Sequence, residues 1–274
     1  MTDHAALTDL LPDFSTSIPS RLGTVGTVVD GVMHGRLDVV PSVLVHGAVS
    51  ATAVAYLVDI VAGMALDTDP DLWIFTSDMS IRIGSTATPT VLTGGPEIMR
   101  DGRRSGTVAV PLIAQDGSAF ALGLATFAKV ARRDGDPVKP MPDLSNLDQS
   151  WGQVQPLEET VRVASGLRVL DAAHGVVELD VTPDVVNPAG TLHGAMVAFV
   201  AECAAQELAE SATGQPQCVT DLDIRYLKQV RGGTVRSAAR YVGDSGAIVV
   251  DLFDMGSGGT LLTTVLGRTR PAAG

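Results

Sequence analysis

The feature that most constrains the fold is that the chain is written twice. At an offset of 143 residues, Thr76-Ser77-Asp78-Met79-Ser80-Ile81-Arg82 aligns with Val219-Thr220-Asp221-Leu222-Asp223-Ile224-Arg225. The same offset sets Asp59 on Glu202, Tyr56 on Phe199, Ala55 on Ala198 and Gly47 on Gly190. This block needs no gap, so one supersecondary unit occurs twice. Offsets of 140 to 142 bring Leu37-Asp38-Val39 onto Leu179-Asp180-Val181, His34-Gly35 onto His174-Gly175, and Ser105-Gly106 onto Ser245-Gly246. A chain of 274 residues has room for one large or two ordinary domains, and the repeat favours two.

Each copy reads as a hairpin-like start, one long apolar helix and then several strands. The segments Val108–Ile113, Leu122–Val130, Thr234–Val242 and Ala247–Phe253 are β-branched and alternating, with Asp-Gly, Gly-Gly and Gly-Ser turns between them. In the second copy the helix follows turn signals at Asn187-Pro188 and Ala189-Gly190 and shows little polar surface through Met196, Val197, Phe199, Val200 and Cys203. A helix without a polar face must be covered, and a strongly curved antiparallel sheet wrapped round it does so. The expected class is α+β, with domains at 1–131 and 159–274 joined by a Pro-rich polar linker at 132–158.

Composition narrows the function. A formal charge of −12 argues against nucleic acid, whose binding rests on phosphate neutralisation by Lys and Arg. The run Val43–Leu66 carries only His46 and Asp59 as groups that can be charged near neutral pH, long enough to be weighed as a membrane span, but a covered central helix accounts for it and no membrane is expected. Asp3, Asp9 and Asp13 precede the first basic residue, Arg21, against the order of a secretory signal. Cys203 and Cys218 form no CxxC, which fits a reducing compartment without disulfide or zinc, so a cytoplasmic protein is expected.

On these residues each half resembles a hotdog domain. The whole resembles a tandem, double-hotdog acyl-CoA thioesterase of the phenylacetyl-CoA-thioesterase-like group in the 4-hydroxybenzoyl-CoA-thioesterase superfamily, over about residues 22–130 and 160–272. The second copy carries the motif as Asn187, His193-Gly194, an acid at Glu202 and a hydroxyl at Thr220. The first keeps Asp59 and Ser77 but has Leu44, Ser50 and Ala51 where the other has Asn187, His193 and Gly194. The resemblance implies two fused hotdog domains, an acyl-CoA substrate, no cofactor or metal, and a homo-oligomer of double-hotdog chains.

Helix rise decides which acid serves which helix start. Gly194 and Glu202 are eight residues apart, roughly 12 Å along a helix rising about 1.5 Å per residue. An attacking group must come within about 3–3.5 Å of its carbonyl. If the helices pack antiparallel, the start of one faces the middle of the other and the sites are composite. One site then joins Asn187, His193 and Gly194 to Asp59 and Ser77. The other joins Leu44, Ser50 and Ala51 to Glu202 and Thr220, lacks the Asn and the His, and is expected to be reduced or repurposed.

The expected reaction is thioester hydrolysis, with the Gly194 N–H at the helix start polarising the carbonyl oxygen and Asp59 acting as nucleophile or general base. Ser77 would hold the Asp59 carboxylate or the water, while Asn187 and His193 shape the oxyanion loop or assist the departing thiolate. Coenzyme A phosphates need a local basic surface. Arg225, Lys228 and Arg231, with Arg236 and Arg240 further on, supply one candidate cluster; Arg100, Arg103 and Arg104 supply another. His46 stands 13 residues before Asp59 rather than nine, one turn out of place, and reads as structural. Two alternatives remain at this point: an acyl-CoA hydratase or dehydratase of the same fold, of which Asn187-Pro188 leading to His193 is a partial echo, and a non-catalytic acyl-CoA-binding protein.

Overall fold

A computed structural model of the chain describes residues 16–85, 87–132, 139, 141 and 154–272, so most of the expected linker lies outside the described residues. The first half contains β1 (Thr24–Val29), β2 (Val32–Asp38), a small ribbon of β3 (Leu44–Val45) and β4 (Ala48–Val49), and helix α1 (Ala51–Leu66). It continues with β5 (Leu72–Ile83), β6 (Val91–Gly94), β7 (Glu97–Asp101), β8 (Ser105–Ala114) and β9 (Ala119–Ala131). The second half contains α2 (Val161–Ser165), β10 (Arg168–Asp171), β11 (Val176–Asp180) and helix α3 (Gly194–Thr213). The strands β12 (Gln217–Tyr226), β13 (Thr234–Tyr241), β14 (Ala247–Asp254) and β15 (Thr260–Pro271) complete it.

All strands except the ribbon join one antiparallel sheet of 13, in the order β1-β2-β6-β8-β9-β5-β12-β15-β14-β13-β11-β10, with β7 paired to β8. The order reads as the same path outward from its centre, where β5 meets β12. Across that seam Ser80 lies opposite Asp223, its own counterpart 143 residues later. Asp78 faces Arg225 and Arg82 faces Asp221, so the two copies are related by a pseudo-twofold axis through the Ser80–Asp223 pair. Arg82 forks onto Asp223 at 2.9 and 2.7 Å, and its Nε lies 3.3 Å from Asp221. Such half-exposed pairs contribute at most about 1 kcal/mol each, so the backbone ladder carries the seam.

Both long helices are enclosed, as their missing polar faces require. Leu57, Val58 and Val61 of α1 and Met196, Ala198 and Val200 of α3 have no accessible surface, and each large apolar side chain so covered contributes about 1.5–3 kcal/mol. The sheet approaches closely enough to need glycine. A Cβ on Gly123 would lie 2.3 Å from Val58 Cγ2, and one on Gly35 2.5 Å from Leu57 Cδ1.

The apolar run Val43–Leu66 is not one helix. Its first part is spent on a 3-10 turn and the ribbon, whose tip places His46 at φ +48° and Gly47 at +80°, and α1 has 16 residues. Among the described residues no helix is long and apolar enough to cross a membrane. The His-Gly pairs do not coincide either: His34 lies within β2, whereas His174 closes the turn before β11.

Candidate active site

The start of α3 is built by a loop that folds on its own amide. Asn187 Oδ1 accepts from the N–H groups of Ala189 at 3.0 Å and Thr191 at 3.1 Å, and the Asn187 N–H donates to the Thr191 carbonyl at 2.7 Å. Gly190 takes φ +72° in the turn, a conformation that costs a side chain. The helix is capped by His193, whose Nδ1 accepts from the Ala195 N–H at 3.1 Å. Among the described residues the Gly194 N–H meets no acceptor, and Gly194 lines the cavity at the positive end of the helix dipole.

Asp59 is the acid that meets this start. A Cβ on Gly194 would stand 3.3 Å from Asp59 Oδ2, although the two residues are 135 positions apart. Asp59 Oδ1 accepts from the Thr76 hydroxyl at 2.7 Å. Burial raises the Asp59 pKa to about 6, with the Thr76 bond pulling against it. Glu202, in the same helix as Gly194, is not at this site.

The hydroxyl beside Asp59 is therefore that of Thr76 and not of Ser77. The pairing of β5 with β9 slips between Thr76 and Asp78, which leaves Ser77 as the extra residue of a bulge, its hydroxyl donating to the Thr126 carbonyl at 3.1 Å. Ser77 still lines the cavity. The bulge recurs in β12 between Val219 and Asp221, and there Thr220 bonds Asp221 at 2.7 Å rather than Glu202. Val219 stands where the first copy has Thr76, so the second copy has no hydroxyl to offer its acid.

Two tyrosines and the histidine close the site. Tyr226, at the end of β12, donates to the Gly194 carbonyl at 3.2 Å, and a Gly194 Cβ would lie 3.5 Å from its hydroxyl. Burial, and then the charge of Asp59, hold the phenols of both Tyr226 and Tyr56 above the ordinary tyrosine range. The Tyr56 ring sits 5.4 Å from that of His193 at a tilt of 56°. Burial lowers the His193 pKa to about 4, so the ring is neutral near pH 7, and the acceptor role of Nδ1 assigns its proton to Nε2. Sequence reasoning missed Thr76 and Tyr226. The signal lay in the repeat, since their counterparts, Val219 and Ile83, carry no hydroxyl.

A cavity of about 630 Å³ opens over this group, lined by Asp59, Thr76, Asn187, His193, Gly194 and Tyr226 among others. It continues along Ile60, Gly63 and Met64 of α1 toward Trp73 and Phe127, an apolar channel able to take a chain. At its rim the buried Lys139 ammonium bonds Asp67 and the carbonyls of Asp69 and Leu72.

The counterpart arrangement at the start of α1 differs. Glu202 accepts from the Ala51 N–H at 2.8 Å through one oxygen, and from the Thr52 N–H at 2.8 Å and hydroxyl at 2.5 Å through the other. Ser50 caps the same helix by accepting from the Ala53 N–H at 3.1 Å. His46 bonds Glu210 at 2.7 Å, apart from Asp59.

Of the basic residues weighed for phosphate contact, Lys228 alone lines the large cavity. Arg225 is 3.2 Å from Asp78 on the seam, and Arg231 donates to the Ala189 carbonyl at 2.9 Å, bracing the loop before α3. Arg236 and Arg240 pair with Glu178 and Asp251. Arg100, Arg103 and Arg104 lie exposed on β7 and its turn, away from the lining.

No protein-family model and no curated protein matches the chain. Solved structures do. A tesB protein of Mycobacterium avium subspecies paratuberculosis is 13% identical, with 98% of this chain and 100% of that one covered at a TM-score of 0.61. A 12:0-ACP thioesterase from Umbellularia californica is 12% identical over 87% of this chain and 96% of its own, TM-score 0.57. A protein of unknown function with a hot dog fold from Alicyclobacillus acidocaldarius is 13% identical over 90% and 96%, TM-score 0.53. At these identities the likeness is one of fold: the chain has the α+β hotdog architecture, nearly end to end with these structures.

Proposed function

We propose that the chain is an acyl-CoA thioesterase made of two fused hotdog units, 1–131 and 159–274, with a single reactive centre at the start of α3. The observation that carries this reading is the meeting of Asp59 Oδ2 with Gly194, 3.3 Å from its Cβ position, beside a helix N–H that has no acceptor among the described residues. A thioester carbonyl seated on that N–H would have its carbon within reach of the carboxylate. The Umbellularia protein, by its name a thioesterase acting on an acyl carrier protein, lends support from outside.

Water adds to the acyl carbon, the carbon–sulfur bond breaks, and the thiolate leaves with the proton that water gives up. Asp59 takes that proton directly as general base, or first forms a mixed anhydride that water then opens. A carboxylate poised at about 6 is a stronger base than an ordinary aspartate and is still ionised at pH 7. Neutral His193 brings no charge to the site.

Incubation with acyl-CoAs of short, medium, long and aryl type, followed by titration of free thiol, tests the reading. Thiol release that vanishes in Asp59→Asn is expected. A change in double-bond absorbance without thiol would replace it by hydratase chemistry. Saturable acyl-CoA binding, unchanged in Asp59→Asn and without turnover, would make the protein a carrier.

A further inference from the structure

A second cavity, of about 250 Å³, lies beside the start of α1 and is the repeat counterpart of the first. Glu202, Cys203, Gln206 and Glu210 stand in it where the larger cavity has Asp59, Ile60, Gly63 and Asp67. The exchange of Gly63 for Gln206 puts a side chain into what is an open channel on the other side. That side chain is unsatisfied: Gln206 is 5% exposed, yet its Nε2 has no hydrogen-bond partner. Ser42, on the same wall and 4% exposed, has an unpartnered hydroxyl. A buried polar group left unpaired costs about 1–3 kcal/mol, and two facing one cavity are complementary to something that fills it.

Charge narrows what that is. The Glu202 carboxylate is held by three donors of α1, and Glu210 is bonded to His46. Arg162 is already paired with Glu207 at 2.7 Å. An incoming carboxylate would face two acids with both basic lining groups engaged, while the unpartnered Gln206 amide hydrogens and Ser42 hydroxyl call for an acceptor oxygen. Leu44, Val45, Phe199 and Cys203 supply the apolar wall.

The geometry points to this cavity as a binding site for a small uncharged carbonyl compound, its oxygen accepting from Gln206 Nε2 and the Ser42 hydroxyl and its short aliphatic part resting on Leu44 and Phe199. At interior packing density the volume suits roughly eight to ten non-hydrogen atoms. Occupancy here does not depend on any reaction in the larger cavity.

Hexanamide is a suitable probe, titrated into the whole protein by calorimetry and located by crystallography. Saturable binding with density in the second cavity is expected. Gln206→Leu should weaken it by about tenfold, Ser42→Ala by about threefold, and hexanoate at pH 7 should bind about tenfold more weakly than hexanamide. Absence of saturable binding, hexanamide in the larger cavity alone, ordered water in place of the probe, or equal affinity in the two variants would overturn the assignment. Should Gln206→Leu fail to fold, Ser42→Ala decides. Thiol release is not read in any arm, so this result stands apart from the thioesterase assay.

Discussion

The starts of α1 and α3 occupy equivalent places in the repeat and do opposite things. At α1 the facing acid is Glu202, and it is consumed by two backbone N–H groups and a hydroxyl. At α3 the facing acid is Asp59, one methylene shorter, held by Thr76 and leaving the Gly194 N–H open. Burial raises the pKa of both carboxyls, yet among the described residues Glu202 engages the first N–H of the helix it faces and Asp59 does not. The acids differ by one methylene, and the hydroxyl each accepts comes from a different place: Thr52 of the facing helix for Glu202, Thr76 of β5 for Asp59. The cap itself differs as well: Ser50 reaches the Ala53 N–H, three residues on, whereas His193 reaches Ala195, two residues on.

The comparison breaks most decisively at the acids. Asp59→Asn should lower kcat by about a thousandfold or more, while Glu202→Gln leaves it within about threefold; equal losses would mean that both starts are reactive. Equilibrium denaturation should invert that ranking. Glu202→Ala, which strips the α1 start of its partner, should cost about 2–4 kcal/mol, against a small gain for Asp59→Asn, which removes a desolvated charge.

Lengthening the acid at position 59 should convert one start into the other. Asp59→Glu is expected to reach the Gly194 N–H, raise the thermal midpoint and reduce turnover by about a hundredfold. A variant both active and more stable would show that the open N–H is dispensable.

The acid limb of kcat/KM should fall near pH 6, with the carboxylate active above it and protonated below. His193, lowered to about 4, adds no limb there. Thr76→Val removes the bond that holds the carboxylate down, so the limb should move up by about half to one pH unit, whereas Ser77→Ala should leave it in place. The linkage to stability has a definite sign. The folded chain binds the Asp59 proton more tightly than the unfolded chain, so this residue's contribution is present at low pH and is lost as pH rises from about 3.8 to about 6.

Much of this was legible in the sequence. The repeat pointed to one strand path used twice, and the roughly 12 Å rise between Gly194 and Glu202 set them apart, in keeping with Asp59 being the acid that lies beside Gly194. What sequence could not supply depends on single-residue register and on which donors face a given side chain. The bulge at Ser77 exchanges two adjacent hydroxyls without altering the alternation of β5. Glu202 matches Asp59 in the alignment, and its role as a cap emerges only when the α1 start is placed against it. The arginines misled for a related reason: their spacing along β12 and β13 is visible, but not that Arg225, Arg236 and Arg240 are met by acids on neighbouring strands.

One pair on the seam says how the two halves are bound to each other. A residue on a twofold axis of identical copies must face itself, and Asp223 would then sit against a second Asp223, two like charges directly opposed. Here it faces Ser80; against the cost of burial, Arg82 and Ser80 keep its carboxyl below the usual range. The second half is in this sense self-avoiding: released from its mate, it would be repelled by its own kind and drawn to the first half.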